Sequence, residues 1–434
     1  MERTKINQLK NNVGKWVLLK GFIHEIRDQS KIKFLVLRDN SGLVQLVVLP
    51  ENKKVFDTIA KIPRESVISI EGVVKEQKQA LPLGIEIHVE KYEVLSEASI
   101  NLPISVVEKG EPPALPTRLD WRWIDLRKPK NLLIFEIWTE MEAAMREYWL
   151  SHGFIQIHSP KFVAGATESG AELFSIEYFG KKASLAQSPQ FYKQMAMAAG
   201  FERVFEINPV FRANKSHTIR HDTEFTSVDI EVSYIDSHED IMKIEEEWIA
   251  HVLKRIKEKY GKRIKQEYGV DVIVPKLPFP RITMAEALVL LKKEYHHSYV
   301  GDLDPEGERL LCEHFKKSHG SEFVFVHDWP IEVRPFYHMR SDHETTNSFD
   351  LLWKGMEITT GAQREHRYEI LKKQAKEKKV PLDGIKEYLE FFKYGCPPHG
   401  GYGLSPSRVV MLLLGLKNVR EATFVPRDTE RLRP

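Results

Sequence analysis

Residues 14 to 96 hold five short β-rich runs, and no other feature limits the possible folds of this chain as strongly. The runs are Lys15 to Ile23, Ile32 to Leu37, Gly42 to Leu49, Ser66 to Val74 and Ile85 to Leu95. Turn signals such as Asp39-Asn40-Ser41-Gly42 separate them. So many strands in so short a segment suit a small closed barrel, with an OB-fold as the natural candidate and a generic barrel as the plainer alternative. Residues 1–96 carry 16 Lys/Arg against 12 Asp/Glu, while the whole chain has a net charge of only +2. The local excess is compatible with a phosphate backbone nearby.

Residues 97 to 117 contain Pro103, Pro112, Pro113 and Pro116, which disfavour regular structure and mark a linker. Beyond them the apolar period lengthens. Ile134, Trp138, Met141, Met145, Tyr148 and Trp149 recur at helical spacing up to the stop signal His152-Gly153. A second amphipathic helix covers about Asp240 to Tyr260, with Ile241, Ile244, Trp248, Val252 and Ile256 on one face. Phe154 to Phe162 reads as a strand broken by Pro160. Strand-like runs near Val204, Val228, Phe323 and Leu351 imply a mixed sheet flanked by helices. The expected class is α+β: a barrel over 1–96, a linker or hinge over 97–130, and a larger domain over 131–434.

At 434 residues, with 42% apolar and 29% charged side chains, the chain has the composition of an ordinary globular protein. Its only cysteines, Cys312 and Cys396, argue against a disulfide framework or a zinc–thiolate cluster. The polar start MERTKINQLKNN lacks the apolar core of a signal peptide, and no run is long enough to span a membrane. A cytosolic location is expected.

Four segments of the larger part carry the chemistry: Gln187 to Gln194 (QSPQFYKQ), Phe211 to Asn214 (FRAN), Asp350 to Arg364 (DLLWKGMEITTGAQR) and Gly400 to Arg408 (GGYGLSPSR). Transfer at a phosphorus centre builds charge on phosphate oxygens, so a site for it needs cations and magnesium rather than a covalent nucleophile. Arg212 and Arg408 are the candidate phosphate clamps. Asp350 and Glu357 offer hard oxygen ligands suited to Mg²⁺. Seven residues apart, they would lie on opposite faces of a regular strand, so they must converge across a bend or from neighbouring strands. Taken singly these are ordinary ion-pair residues; the ordered set is specific.

In order and wording the segments resemble the class II (subclass IIb) aminoacyl-tRNA synthetases, and within them the archaeal-type aspartyl group. Phe154 to Pro160 (FIQIHSP) is similar to that family's motif 1, whose proline lies at a dimer interface. Phe211 to Glu231 (FRANKSHTIRHDTEFTSVDIE) is similar to motif 2, and Gly400 to Arg408 with Val409-Val410-Met411 to motif 3. The interval from Glu231 to Gly400 looks too short for the large insertion of bacterial-type relatives, and the amino-terminal extension of eukaryotic forms is not seen.

The resemblance implies an antiparallel class II sheet, ATP and Mg²⁺ as cofactors, and a homodimer. Arg212 would grip the α-phosphate and the amino-acid carboxylate, and Arg408 the far phosphates. Asn214, Arg220, His221, Asp222 and Ser405 would line the ATP site, and Asp350, Glu357 and Thr360 would hold the metal. Lys193 and Arg364 would meet the carboxylates of L-aspartate, with Glu168, Gln190 and Thr360 beside it. Asparaginyl relatives lack the lysine at position 193, because an amide would leave a buried charge unpaired.

The barrel would then read the anticodon, with Phe34 stacking and Gln45 reading the central base. His24, after the first strand, and Pro82, in a later loop, match positions of relatives that charge both tRNA-Asp and tRNA-Asn. Stricter relatives tend to carry tryptophan and lysine there. Charging of tRNA-Asn would call for an amidotransferase partner. Two departures stand out: Asn214 replaces the usual motif 2 glutamate, and Ser405-Pro406-Ser407-Arg408 replaces Gly-Leu-Glu-Arg. An asparaginyl enzyme, or a paralogue that binds tRNA or amino acid with impaired charging, are the alternative readings.

Overall fold

Strand β1 (Trp16–Gln29) begins paired with β4 (Val67–Glu76) and ends paired with β2 (Ile32–Asp39); with β3 (Gly42–Val48) and β5 (Ile85–Ser96) they close a barrel in the order β1-β2-β3-β5-β4. Alternation builds it. Leu35, Leu37, Val44, Leu46, Ile68, Ile70 and Ile87 fill the interior, while Phe34 and Gln45 take the opposite parity. The computed structural model describes residues 1–80, 82–107, 110–165, 173–215, 218–298, 301–341 and 344–434. It divides into two units, 1–133 with Pro434, and 134–433.

Two details of the first unit differ from expectation. The first strand does not stop at Ile23, because β1 must bend to pass from one partner to the other. Phe22 pairs with both Val67 and Arg38, and the register slips by one at His24, between Ile23↔Leu37 and Glu25↔Val36. His24 is therefore the extra residue of a bulge inside β1 rather than a residue after it. The proline-rich stretch is also more ordered than predicted at its end. Pro116 sits in the first turn of a short helix, Leu115–Asp120, where its missing N–H costs nothing. The buried carboxylate of Asp125 then gathers Arg118 (3.2 Å), Arg122 (3.2 Å) and Lys128 (2.9 Å).

The second unit opens within helix α1 (Pro129–Ser151), followed by short strands β6 (Ile155–Gln156) and β7 (Phe162–Val163). Strands β8 (Ser175–Tyr178) and β9 (Lys181–Leu185), helix α2 (Gln190–Ala198), β10 (Arg203–Phe211), β11 (Glu224–Ser233) and helix α3 (His238–Tyr268) come next. Then follow β12 (Arg281–Thr283), helices α4 (Met284–Tyr295) and α5 (Pro305–His319), and β13 (Phe323–Pro330). The hairpin β14 (Thr345–Trp353) and β15 (Met356–Arg364), β16 (His399–Leu404) and helix α6 (Pro406–Leu414) complete the site-bearing part. Eight strands form one sheet in the order β12-β13-β14-β15-β16-β11-β10-β6. Its central pairs are antiparallel, as the resemblance implies, but the edge pairs β12–β13 and β10–β6 are parallel.

Phe154 to Phe162 is not one strand. Its ends pair in two different sheets, because Ser159 is pinned through its N–H (2.6 Å) and hydroxyl (3.0 Å) to Glu206, and Pro160 has no donor for a ladder. Helix α3 outruns the expected span at both ends. Ser237 caps it in a reciprocal box with Asp240, and Gly269 ends it in the left-handed conformation at φ 71°.

Candidate active site

A cavity of about 270 Å³ lies over the centre of the large sheet, lined from β11, β15, β16, α6 and the segment after β10. Arg212 enters where β10 ends. Its Nε donates to Gln187 O (3.3 Å), its guanidinium lies 5.5 Å from the Phe225 ring, and among the described residues no carboxylate pairs with it. Arg220 is held by both oxygens of Glu308 (2.8 and 3.1 Å). Arg408, in the first turn of α6, donates to Glu357 O (2.9 Å) and Arg220 O (3.4 Å). Burial lowers the proton affinity of Arg408; Glu357 supports its charge, while Arg212 and Arg220 oppose it. Burial and then Arg408 push His221 down to about 4, so it is neutral near pH 7. Three guanidiniums converging on one cavity make a seat for a polyanion.

Pro406 does not disturb the approach to α6. It occupies the first helical turn, and Ser405 and Ser407 share a hydrogen bond (3.1 Å) beneath it.

The odd offset of Asp350 and Glu357 is resolved by the β14–β15 hairpin. Asp350 stands opposite Thr360, and a bulge between Leu351 and Leu352 shifts the register from Leu351↔Thr359 to Leu352↔Glu357. The extra residue turns Glu357 to the side of Thr360, whose hydroxyl donates to Glu357 Oε1 (3.2 Å). Asp350 Oδ2 accepts from Arg334 (2.6 Å), while the buried Oδ1 takes no hydrogen bond. Burial pushes Asp350 up to about 7, with Arg334 opposing and Glu357 reinforcing.

Near Arg364, Lys193 is only 1% exposed and lies behind the cavity wall rather than on it. Its Nζ donates to Asp229 Oδ1 (2.9 Å) and Tyr402 O (2.9 Å) and stands 3.5 Å from Glu231 Oε2. Arg364 does line the cavity; it donates to Glu231 (2.9 Å) and Gly401 O (2.8 Å) and meets His338 Nε2 at 3.1 Å. Burial works against ionisation of Glu231, but Arg364 and Lys193 outweigh it and hold the carboxyl below its usual range. Gln190 joins this end through Gln194 (2.9 Å), which Tyr388 and His399 hold in turn at 3.0 Å.

The structure thus brings Gln190, Arg212, Asn214, Arg220, His221, Asp222, Glu357, Thr360, Arg364, Ser405 and Arg408 to one cavity. Lys193 and Asp350 stand behind its lining, and Glu168 lies outside the described residues. Asp222 is partly committed elsewhere: Oδ2 accepts from Thr423 (3.0 Å), and burial pushes its carboxyl up to about 6. Sequence reasoning gave no role to Asp229, Glu231, Glu308, Arg334 or His338. The signal for the first two was present, since two acids alternating with Val228, Ile230 and Val232 in a buried strand must find cations.

In the barrel, Phe34 and Gln45 lie on one outer face, Gln45 opposite Val36 and bonded to Glu86 (3.0 Å). His24 accepts at Nδ1 from Arg38 (2.6 Å), whose guanidinium is clamped on both oxygens of Glu65 (2.6 and 2.8 Å). Burial, then Arg38, lowers the His24 pKa. Pro82 is exposed in the β4–β5 connection.

Residues 114–429 match the family "tRNA synthetases class II (D, K and N)", and residues 17–95 match "OB-fold nucleic acid binding domain". A Methanopyrus kandleri protein named aspartate--tRNA(Asp/Asn) ligase is 46% identical, over 97% of this chain and 96% of its own length. An Aeropyrum pernix protein of the same name is 44% identical over 97% and 96%. A Pyrococcus furiosus protein named aspartate--tRNA(Asp) ligase is 42% identical over 97% of each. Among solved structures, asparaginyl-tRNA synthetase from Pyrococcus horikoshii with asparaginyl-adenylate superposes with a TM-score of 0.91 at 33% identity, covering 100% of both chains. A putative aspartyl-tRNA synthetase from Leishmania major gives 0.88 at 32%, covering 100% of this chain and 96% of its own.

Proposed function

The chain belongs to the class II tRNA synthetases of the aspartyl, lysyl and asparaginyl group, and we propose that it joins L-aspartate to tRNA-Asp and tRNA-Asn at the expense of ATP. The observation that carries the choice of amino acid is the buried set Lys193–Asp229–Glu231–Arg364. Two cations and two carboxylates balance there without a substrate. Aspartate adds one ammonium and two carboxylates. Asp229, on the cavity wall, accepts the ammonium, Arg364 faces the side-chain carboxylate with Lys193 behind it, and Arg212 takes the α-carboxylate. An amide in place of the side-chain carboxylate would bring Arg364 and Lys193 no charge to meet.

Activation needs the α-carboxylate oxygen in line with the α-phosphorus. Arg212, with no carboxylate partner among the described residues, can bridge the two reactants, and Arg220 and Arg408 draw the departing pyrophosphate. Phe225 offers a flat face beside Arg212 for the purine. The orphaned Asp350 Oδ1, with Glu357 and Thr360 alongside, suits a hard dication. Magnesium bound there would neutralise charge on the phosphates. In the second step a tRNA ribose hydroxyl attacks the activated carbonyl, releasing AMP.

Residues 1–96 serve as the anticodon reader, 97–130 as the hinge and 131–434 as the catalytic domain. Phe34 and Gln45 contact the anticodon, and His24 and Pro82 relax the choice of tRNA. The 46% and 44% identity to relatives named for both tRNAs supports that breadth. The enzyme acts as a cytosolic homodimer through Pro160, and an amidotransferase completes Asn-tRNA. Aspartate-dependent ATP–pyrophosphate exchange, then charging of both transcripts side by side, tests the reading. Exchange driven by asparagine instead would overturn it, and charging of tRNA-Asp alone would remove its second half.

A further inference from the structure

Away from the cavity, the start of α3 meets β13 at a cluster that the proposed reaction does not use. His238 is the first residue of α3, and it is 8% exposed with both ring nitrogens buried and, among the described residues, without a hydrogen bond. His327 Nδ1 is likewise buried and unbonded. His238, Glu239 and His327 each offer a ligand atom, all within 4.8 Å of one another. Asp328 lies between the rings, with one oxygen 3.5 Å from His238 Nε2 and the other 3.2 Å from His327 Nδ1.

The backbone explains how neighbours on a strand can share a ligand. The β13–β14 register slips between His327 and Trp329, and Asp328 takes the left-handed conformation at φ 58°. In a regular strand His327 and Asp328 would point to opposite faces; the bulge turns them together. An aspartate held at positive φ costs free energy, and such outliers concentrate where a side chain has a task. Glu239 is oriented by Arg281, which holds its Oε2 (2.9 Å) and leaves Oε1.

We propose that His238, His327, Asp328 and Glu239 bind one transition-metal dication of the Zn²⁺ class, tying the first turn of α3 to β13. Two imidazoles with carboxylate oxygens select zinc-like ions over magnesium or calcium. Tetrahedral ligands at bond lengths of about 2.0–2.1 Å stand about 3.3 Å apart, and each imidazole already has one Asp328 oxygen near that spacing, Oδ2 at 3.2 Å from His327 and Oδ1 at 3.5 Å from His238. Reaching that spacing asks the ligand atoms of His238, Glu239 and His327, now within 4.8 Å of one another, to close inward. The ion's role is structural, since none of the four residues lines the cavity that holds the motif residues of β16 and α6.

The test is a Co²⁺ titration of the full chain after chelation and desalting, with excess Mg²⁺ to occupy the Asp350–Glu357 ligands. One equivalent should raise the intense visible absorption of four-coordinate, nitrogen-ligated Co²⁺, and Zn²⁺ should displace it and raise the thermal midpoint. His238→Ala and His327→Asn should each weaken Zn²⁺ binding by at least about tenfold and abolish the Co²⁺ band. His327→Asn, on the strand side, covers the case in which His238→Ala fails to fold. A weak octahedral Co²⁺ spectrum, or binding unchanged in His327→Asn, would overturn the proposal.

Discussion

Arg364 donates to Glu231 at 2.9 Å although a whole strand, β16, lies between the strands that carry them. The contact exists because Gly401 stands between them, paired with Ala362 on one side and Glu231 on the other, and brings no side chain into the gap. Its carbonyl adds a second acceptor for Arg364 at 2.8 Å. A Cβ at Gly401 would fall inside contact distance of Ile230 O and Glu231 Oε2, neither of which can retreat.

Gly401→Ala is therefore expected to separate Arg364 from Glu231 and leave a fully buried carboxylate short of a partner. Breaking such a pair costs about 3–5 kcal/mol. The thermal midpoint should fall, and aspartate-dependent pyrophosphate exchange should drop by two orders of magnitude or more. A variant with normal exchange would show that the contact across β16 is dispensable.

Lys193→Met tests the amino-acid end more selectively. Methionine keeps much of the volume but leaves Glu231 with Arg364 alone and takes the lysine from Asp229, which keeps only the Ser227 hydroxyl among the described residues. The KM for aspartate should rise by roughly a hundredfold, about the 2–3 kcal/mol of a charge-assisted hydrogen bond, while the KM for ATP should change little because the three arginines at the phosphate end are untouched. Equal changes in both constants would mean a general collapse.

The departures from the family pattern separate on burial. Asn214 and Ser407 both line the cavity, but Ser407 is only 4% exposed and is bonded to Ser405. Asn214→Glu alone should lower the KM for ATP. Adding Ser407→Glu should give no further gain and reduce stability, since it breaks the bond to Ser405 and forces a charged group to shed its water. Steady-state kinetics and thermal melts of the single and double variants check both expectations.

What could be read from the chain, and what could not, follows the range of the interactions. The barrel strands announce themselves through alternation, and the motif segments carry residues that end up around one cavity. The β14–β15 bulge that reconciles Asp350 with Glu357 has no local signal, because it is a choice of register between strands. The same holds for Lys193, which reads as one residue of a helix and is placed by carboxylates of β11 that the helix pattern does not reveal. His24 was misplaced for a related reason: where a strand ends is set by its second partner, β2, not by its own composition.

Glu245 gives a pH prediction. It is fully buried on α3, and neither carboxylate oxygen has a hydrogen bond among the described residues. Burial pushes its pKa up to about 8; Thr359 opposes this, and Asp350 and Glu246 add to it. The unfolded chain releases this proton near the ordinary glutamate value and the folded chain holds it, so stability falls as pH rises from about 4.5 to about 8. The slope is about 1.4 kcal/mol per unit for this group. Glu245→Gln should remove that slope, matching the parent near pH 5 and exceeding it by a few kcal/mol at pH 8. Denaturant unfolding across this range checks it, and a variant less stable at pH 8 would refute it.

If the choice of tRNA rests on His24 as proposed, it rests on a linkage that can be cut in two ways. His24 is fixed at the β1 bulge as an acceptor for Arg38, itself locked on Glu65. Because an arginine only donates, His24 Nδ1 must be unprotonated and its Nε2 carries the hydrogen, leaving one defined donor. Tryptophan cannot accept from Arg38, so His24→Trp changes both the contact beneath and the surface above; paired with Pro82→Lys it adds bulk and charge to the barrel. The double variant should lose at least tenfold in kcat/KM for tRNA-Asn and stay within about threefold for tRNA-Asp, a difference of at least about 0.7 kcal/mol between the tRNAs. His24→Gln retains an acceptor and should behave as the parent. Equal losses on both tRNAs would assign His24 to holding Arg38 alone, and no loss on either would make both positions irrelevant to the choice.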